Sequence, residues 1–362
     1  MRKHGHIHGD EPEASIWPTD KLDTVEPADG LGKDWTVGID AGSGPISLSG
    51  QIYPISKILG LRGGALGDLI LTLPVLREIR QAFPDAEVEL LGVLPQARLA
   101  MPEYVDRVER VDSIEFAPLF AESELPQALR DRLSRFDLAL NFFADSDSVI
   151  TRNLTGAGIR TVVGGAKQPS AETHAVYHLA SVLEPLGLTL RDPVPALAIE
   201  PSPGYSSRLA FHPGSGSAQK NWPVNCWTEL IQQCEGRFND FLLIGGEADE
   251  AVVEEFMASC QSLRVTTLFG ADLAELSLAL NACAVFVGHD TGISHLAAAV
   301  GLPTVALFGP TNPNVWAPLG SHVRVVRAPT VKMDSIPVDD VVAAVTTAAT
   351  TTTSPRQGHA PA

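Results

Sequence analysis

The sequence predicts an α/β protein built from two doubly wound, parallel-sheet domains. Two observations carry this prediction. Short apolar strands alternate with amphipathic helices in two separate series, and the proline-rich stretch 191–205 divides the two series. The length of 362 residues also fits two domains of ordinary size.

The first series begins with the apolar segment KILGL, which reads as a strand. The helix after it carries apolar side chains at helical spacing, and Pro84-Asp85 ends it. The alternation then continues through further short elements. In order, the predicted elements are strand 57–61, helix 69–83, strand 87–92, short helix 96–101, strand 107–111, helix 125–134 and strand 136–142.

The second series repeats the alternation after the proline-rich stretch. Repeated strand–helix units again imply a parallel sheet. In order, the predicted elements are strand 209–212, helix 222–235, strand 240–245, helix 250–260, strand 265–268, helix 272–281, strand 284–288, helix 294–300 and strand 304–308.

The composition predicts five segments along the chain. Residues 1–50 are polar and lack periodicity, so a disordered extension is expected there, and its His4, His6 and His8 favour a solvated tail over a metal site. The segments are the extension 1–50, a first α/β domain 51–190, the linker 191–205, a second α/β domain 206–345 and a disordered tail 346–362.

Charge and composition exclude several classes of function. The formal charge is −17 with a pI near 4.9, which disfavours nucleic acid as a partner. No stretch of 18 uncharged apolar residues occurs, so no membrane span is expected. The first ten residues lack the apolar core of a secretory signal, and the four cysteines form no CxxC pair. We therefore expect a cytoplasmic protein with reduced thiols.

The first candidate motif is the glycine-rich turn between strand 57–61 and the following helix. Gly63, Gly64 and Gly67 allow a ligand to approach the backbone, and the helix start offers free N–H groups. The dinucleotide fingerprint would need a glycine where Asp68 stands. Asp68 can serve as a helix cap, as a functional carboxylate or as both.

The second candidate motif follows strand 209–212. It runs HPGSGSAQKNWP, so that Ser215, Gly216 and Ser217 form a flexible turn before Lys220. Glycine backbone, hydroxyl groups and a nearby lysine can together bind phosphate. An ordinary solvated loop is the alternative interpretation.

The third motif, GHDTGISHL, follows strand 284–288 and opens an alanine-rich helix. Asp290 and Thr291 can cap that helix, Gly292 permits close approach, and His295 is either a buried structural histidine or a ligand contact. A fourth turn, FGPTNP, follows strand 304–308. Because all four motifs lie at the carboxyl ends of strands, they predict a cleft that binds a nucleotide diphosphate.

At these motifs the sequence resembles glycosyltransferase family 9, the bacterial heptosyltransferase family. The segments that carry the resemblance are GALGDLILTLPVLREIRQAFPDAEV, HPGSGSAQKNWP and GHDTGISHLAAAVGLPTVALFGPTNP. The resemblance implies a GT-B fold, with two Rossmann-like domains and an interdomain cleft. It makes domain 51–190 the acceptor side and domain 206–345 the nucleotide-sugar-binding side. It also implies metal-independent, inverting transfer of heptose from an ADP-heptose donor to a lipopolysaccharide-core acceptor, with no cofactor.

The resemblance also assigns roles to individual residues. Asp68 matches the catalytic base, and Lys220 matches the phosphate-binding lysine, aided by Ser215, Gly216 and Ser217. Glu247 matches an acidic residue that binds the ribose. The donor-side turn and the histidine after it are matched by Asp290, Thr291, Gly292 and His295.

Two alternatives stay open from the sequence. One is a non-catalytic protein that binds nucleotide sugars or glycans on the same fold, and the other is a family member with a different donor sugar. The segment between Gly92 and Gly165 is acidic and shows no cluster of Lys and Arg, which leaves the acceptor undetermined. Any contact with a membrane is expected to be peripheral. A nicotinamide oxidoreductase is disfavoured by the missing glycine.

Overall fold

The computed structural model describes residues 46–48, 51–164, 172–199, 207–260 and 264–350. The chain divides into Met1–Thr36, none of which is described, and Val37–Ala362. Two short strands, β1 (Ile46–Leu48) and β2 (Gln51–Tyr53), pair antiparallel, so a strand lies inside the predicted extension 1–50. The rest of that extension, including His4, His6 and His8, lies outside the described residues.

Five parallel strands form the first sheet: β3 (Lys57–Arg62), β4 (Glu87–Gly92), β5 (Arg107–Arg110), β6 (Leu138–Asn141) and β7 (Thr161–Gly164). Their order is β5-β4-β3-β6-β7, so the chain reverses its direction of winding between β3 and β6. Ile58 and Leu59 are both fully buried but belong to different apolar clusters. Successive side chains of this strand therefore fill cores on opposite faces of the sheet.

The helices of the first half surround that sheet. Their bounds are α1 (Leu66–Ile70), α2 (Leu73–Ala82), α3 (Gln127–Leu133), α4 (Val149–Gly156) and α5 (Ala175–Ala180). Short 3-10 helices cover Gln96–Ala100, Ala117–Phe120 and Glu184–Leu186.

The predicted single helix 69–83 is wrong in its boundaries, because the structure has two helices there. Helix α1 begins at Leu66 and ends at Ile70, and α2 begins at Leu73. Pro74 lies in the first turn of α2, where the missing N–H of proline is tolerated; inside one continuous helix it would remove a hydrogen bond.

Six parallel strands form the second sheet: β8 (Arg208–His212), β9 (Asp240–Gly245), β10 (Val265–Phe269), β11 (Val285–His289), β12 (Thr304–Phe308) and β13 (Val323–Arg327). Their order, β10-β9-β8-β11-β12-β13, is the doubly wound order of a dinucleotide-binding fold. Here the winding reverses between β8 and β11.

The helices of the second half are α6 (Val224–Cys234), α7 (Glu250–Ser259), α8 (Leu273–Asn281), α9 (Gly292–Ala299), α10 (Pro313–Trp316) and α11 (Val338–Thr350). Short 3-10 helices cover Ala218–Lys220, Glu247–Asp249 and Met333–Ser335. Helix α11 runs to Thr350, so the first residues of the predicted tail 346–362 are helical, because Val341, Val345 and Ala348 bury one face of it. Residues 351–362 lie outside the described part of the chain.

Several elements lack a prediction from the sequence. Strands β7 and β13 are the last strands of their sheets and are only partly buried, so their apolar pattern is weak. Residues 191–199, the described part of the predicted linker, form no helix or strand. They are held on both sides, because the Tyr104 hydroxyl donates to the Ala196 carbonyl (2.6 Å) and the Leu197 amide donates to the Ala299 carbonyl (2.8 Å).

Candidate functional site

The four predicted motifs follow β3, β8, β11 and β12. The first three strands lie at the winding reversals of their sheets, and β12 is the neighbour of β11. Strand β3 leads into the loop with Gly63 and Asp68, and its parallel neighbour β6 leads into Phe142 and Phe143. In the second sheet, β8 leads into the loop with Lys220, and its neighbour β11 leads into Asp290. Ligands of doubly wound sheets bind at such reversals, at the carboxyl ends of the strands.

Asp68 lies in the first turn of α1 and is held by two donors. Its Oδ2 accepts the Ala65 amide hydrogen at 2.9 Å, and its Oδ1 lies 3.0 Å from Nη2 of Arg62. Arg62 also donates to the backbone carbonyl of Asp68 (2.9 Å), so its guanidinium contacts both the side chain and the backbone of Asp68. Burial lowers the pKa of Arg62, and the Asp68 carboxylate acts in the opposite direction. The Asp68 side chain remains 37% exposed and can therefore reach a ligand.

Two glycines of the loop make room for this arrangement. Gly64 has φ +94°, and a Cβ there would lie 2.5 Å from Oδ2 of Asp68. A Cβ on Gly63 would lie 2.5 Å from the Phe143 ring. A side chain at either position would displace a neighbour, and at Gly64 the backbone conformation also favours glycine.

Helices α1 and α9 meet through glycines at the junction of the two sheets. A Cβ on Gly292 would lie 2.7 Å from Cβ of Leu66 and 3.0 Å from the Gly67 nitrogen. A Cβ on Gly67 would lie 3.2 Å from the His295 ring. The glycine-rich loop of the first half and the D-T-G turn of the second half are therefore in direct contact.

His295 lies buried at this junction. Burial lowers its pKa to about 4, while the carboxylates of Asp290 and Asp68 act to raise it. Both carboxylates therefore lie close enough to interact with the same ring. Nδ1 of His295 has no hydrogen-bond partner among the described residues. The ring is neutral near pH 7.

Lys220 forms an ion pair with Asp290 at the carboxyl edge of the second sheet, where β8 and β11 are neighbours. The Lys220 Nζ lies 2.8 Å from Oδ2 of Asp290, and the two side chains are 29% and 12% exposed. Thr291 occupies the N-cap position of α9, but its hydroxyl makes no cap hydrogen bond. The carboxylate of Asp290 thus holds the lysine beside the N-terminus of α9, where an anion is favoured.

His289 anchors the loop that carries Lys220. Its Nε2 accepts the Trp222 amide hydrogen at 2.8 Å, so Nδ1 carries the proton and donates to the Gly214 carbonyl at 3.1 Å. Burial lowers the pKa of His289 to about 3, which keeps the ring neutral. One fully buried ring therefore fixes both ends of the loop.

A second buried pair supports the start of the same loop. Nε2 of His212 lies 3.1 Å from Oδ2 of Asp249, which also accepts the Gly246 amide hydrogen at 2.9 Å. Burial acts to raise the pKa of Asp249, but the hydrogen bonds from His212 and Gly246 outweigh it and the pKa is lowered. A Cβ on Gly214 would lie 1.8 Å from Oδ1 of Asp249. The loop and this carboxylate therefore pack against each other without spare room.

The other residues predicted to bind the donor are Ser215, Gly216, Ser217 and Glu247. The Ser215 hydroxyl contacts Oδ1 of Asn221 (2.5 Å) and accepts the Ser217 amide hydrogen (3.3 Å), so it braces the loop itself. Gly216 and Ser217 are exposed. Glu247 is exposed and lies in the 3-10 helix that follows β9; β9 is the strand next to β8.

We expect Gly214→Ala to damage the loop while Gly216→Ala leaves it intact. The new methyl group at position 214 overlaps the Asp249 carboxylate, and overpacking of this kind costs about 1–3 kcal/mol. A Cβ at Gly216 meets nothing within 4 Å. Urea unfolding measures the stability of both variants. Equal stabilities for the two would contradict this account of Gly214.

The segment Asp145-Ser146-Asp147 has the D-x-D form that some metal-dependent transferases use, but Asp145 has a structural role here. Its carboxylate accepts the amide hydrogens of Ile150 (3.1 Å) and Thr151 (2.8 Å) and thereby caps α4. Among the residues that the structure describes, no group of three or more His, Cys, Asp or Glu side chains could hold a metal ion. In the same residues, no helix is long and apolar enough to cross a membrane.

Sequence reasoning missed several residues of this site. His212, Asp249 and His289 act through contacts with residues distant in the chain or buried beneath the loops, so their spacing carries no signal. Arg62 contacts Asp68, six residues further along the chain. Arg62 could have been noted as a basic residue at the end of a strand. Phe143 could have been noted as an aromatic residue that follows a strand.

Comparison with known proteins connects this geometry with a family. The family model of glycosyltransferase family 9 (heptosyltransferase) matches residues 190–340. The chain is a relative of glycosyltransferase family 9. The predicted enzyme class, a glycosyltransferase, is thereby confirmed.

Relatives of the family cover most of the chain. Lipopolysaccharide heptosyltransferase 3 of Escherichia coli is 24% identical over 77% of this chain and 94% of its own length. Lipopolysaccharide heptosyltransferase 1 of Pseudomonas aeruginosa is 28% identical over 73% of this chain and 81% of its own length. The solved structure of E. coli heptosyltransferase WaaC with ADP superposes with a TM-score of 0.65 at 20% identity, covering 81% of this chain and 99% of that one. The predicted GT-B fold is confirmed.

Proposed function

We propose that this glycosyltransferase transfers a heptose, with inversion and without a metal, from ADP-heptose to a lipopolysaccharide-core or other glycan acceptor. One observation carries the proposal. The junction of α1 and α9 brings the half-exposed Asp68 carboxylate to the helix N-terminus that also carries the Asp290–Lys220 pair. The proposed base and the proposed diphosphate-binding lysine thus lie on the two sides of one junction.

Asp68 is suited to activate the acceptor. Its carboxylate would take the proton of an acceptor hydroxyl while that oxygen attacks the anomeric carbon of the donor sugar. Arg62 and the Ala65 amide hold the carboxylate in one orientation. A positioned base of this kind contributes a factor of about 10²–10⁴ in rate. Attack from the face opposite the leaving group inverts the anomeric configuration.

Lys220 is suited to receive the leaving group. As the bond between the anomeric carbon and the diphosphate oxygen breaks, negative charge builds on the diphosphate. Lys220, which Asp290 orients at 2.8 Å, and the free amide hydrogens at the start of α9 would stabilise that charge. With these donors the chain itself would supply the electrostatic stabilisation, and neither a metal nor a cofactor enters the proposed reaction.

Glu247 is suited to bind the nucleoside. It follows β9, the strand beside β8, and is exposed at the carboxyl edge of the sheet. A carboxylate at this edge can accept hydrogen bonds from both ribose hydroxyls. The ADP bound in the E. coli WaaC structure supports adenine as the base of the donor. A glycolipid acceptor would be met by peripheral contact with a membrane.

Calorimetry with ADP, ADP-heptose, GDP-mannose and UDP-glucose tests the donor, with mass spectrometry of the products. We expect ADP and ADP-heptose to bind, and transferred or hydrolysed heptose to be detected. If GDP-mannose or UDP-glucose binds more tightly than ADP-heptose, that nucleotide sugar is the donor instead. Binding without any turnover would establish the non-catalytic alternative, and no binding by any of the four would overturn the proposal.

A further inference from the structure

Two phenylalanine rings lie beside the proposed base. Phe143 follows β6 and is half-buried, and its ring lies over Gly63. Phe120 ends the 3-10 helix Ala117–Phe120 and is 38% exposed. The ring centroids are 5.2 Å apart in an edge-to-face arrangement. Together they form a small aromatic surface, here called the Phe120–Phe143 pair.

The pair is tied to Asp68 through one guanidinium group. Arg62 donates from Nη1 to the Phe142 carbonyl (3.2 Å) and from Nη2 to Oδ1 of Asp68 (3.0 Å). The Phe143 ring covers Gly63, and the Asp68 carboxylate covers Gly64, the next residue. The Phe143 ring and the Asp68 carboxylate therefore pack against consecutive residues of one loop.

The backbone that carries each ring is held in place by hydrogen bonds within the protein. The Asn153 amide donates to the carbonyls of Leu119 (2.9 Å) and Ala121 (3.0 Å), one on each side of Phe120. The Phe143 amide hydrogen is accepted by Oδ1 of Asn141 at 3.1 Å. Because the surface is preorganised, little conformational entropy is lost when a ligand contacts it.

The charges around the pair do not favour an anionic ligand. Residues 107–135 and 149–156 flank the pair. Each arginine of these segments except Arg135 forms an ion pair with a carboxylate of the described residues. The ion pairs are Arg107–Glu87, Arg110–Asp112, Arg130–Glu124, Arg132–Glu115 and Arg152–Glu122. Arg62 is likewise engaged by Asp68. An exposed cation that forms no ion pair with the described residues, Arg98, lies in the 3-10 helix after β4.

We propose that the Phe120–Phe143 pair is an acceptor subsite for an uncharged sugar ring. The inference rests on the proposed function. The C–H face of a sugar is apolar and slightly positive, and it complements the negative face of an aromatic ring. Stacking on Phe143 would point a ring hydroxyl at Asp68. The acceptor therefore offers a neutral sugar, and not a phosphate or carboxylate, next to the reacting hydroxyl.

Saturation-transfer NMR in the presence of ADP tests the subsite with lactose and maltose and with their 1-phosphates. We expect the uncharged sugars to bind at least as tightly as the phosphates. Phe143→Leu and Phe120→Leu are each expected to raise the Kd of the uncharged sugars about 3- to 10-fold, because leucine keeps the bulk and removes the ring. Phe143→Tyr keeps the ring and should stay within about 2-fold of the unchanged protein.

Ile114→Ala is the matched control, because Ile114 is 91% exposed on the same segment but lies outside the ring pair. It should leave sugar binding unchanged. Preference for the phosphates, with affinity lost in Arg98→Ala or at high salt, would overturn the subsite, as would unchanged binding in both leucine variants. ADP affinity, measured in the same samples, tests the proposed function separately. If the unchanged protein does not bind ADP but still binds the sugars in a way that depends on Phe143, the transferase proposal is refuted and the sugar subsite is retained.

Discussion

Asp68→Asn is expected to reduce sugar transfer about 10²- to 10⁴-fold while leaving the affinity for ADP-heptose within about 3-fold. The amide keeps an oxygen for the Ala65 amide hydrogen, so the turn of α1 should persist. The variant can no longer take a proton from the acceptor, and it loses the charge that faces Arg62. Steady-state rates and calorimetry of donor binding measure the two effects separately.

Asp272→Asn is the control for this variant. Asp272 is also a carboxylate at a helix start, where it accepts the Glu275 amide hydrogen at 2.8 Å. The substitution removes the same charge from α8 and should change transfer less than 2-fold, because asparagine caps a helix about as well as aspartate does. If Asp68→Asn keeps more than a tenth of the activity, Asp68 is a cap and not the base.

Lys220→Ala is expected to weaken both donor binding and turnover. Loss of a donor to a developing oxyanion costs about 10²- to 10³-fold in turnover. Loss of a charged hydrogen bond to the diphosphate should weaken donor binding by a further ~1.5–3 kcal/mol. The variant also leaves Asp290, which is 12% exposed, without its cation and facing the diphosphate.

The Lys220→Ala/Asp290→Asn double variant separates these contributions. Removing the unpaired carboxylate should restore part of the donor affinity, so the two substitutions should be non-additive. Lys57→Ala is the control, because Lys57 forms an ion pair of the same length, 2.8 Å to Glu87, on β3 at the opposite end from the Asp68 loop. Full activity in Lys220→Ala, or equal losses in Lys57→Ala, would contradict the assigned role.

Local sequence patterns predicted most of the elements near the site. The apolar strands and the glycine-rich turns after them depend on neighbours within a few residues, so their positions follow from spacing and turn chemistry. Asp68 shows the limit of such patterns. Its place at a helix start and its cap to Ala65 are local and were predicted, whereas its ion pair with Arg62 depends on how the loop closes.

Helix boundaries show where local patterns compete. The apolar spacing of 69–83 is continuous and predicts one helix, but Pro74 is compatible with a helix only in its first turn. The structure therefore divides the segment. Pro74 is itself a sequence signal for a helix start near Leu73, and it outweighs the continuous apolar spacing.

The sequence alone determined the two alternating series of strands and helices, the position of the glycine-rich loops at strand ends, and the family that they resemble. Tertiary structure decided which loops meet. Gly67 and Gly292, Lys220 and Asp290, and Phe143 and Gly63 are between 70 and 225 residues apart, and each pair is in contact. Contacts of this kind depend on the order of strands in the sheets and on the packing of α1 against α9. No periodicity along the chain records them, because packing joins residues by their position in space.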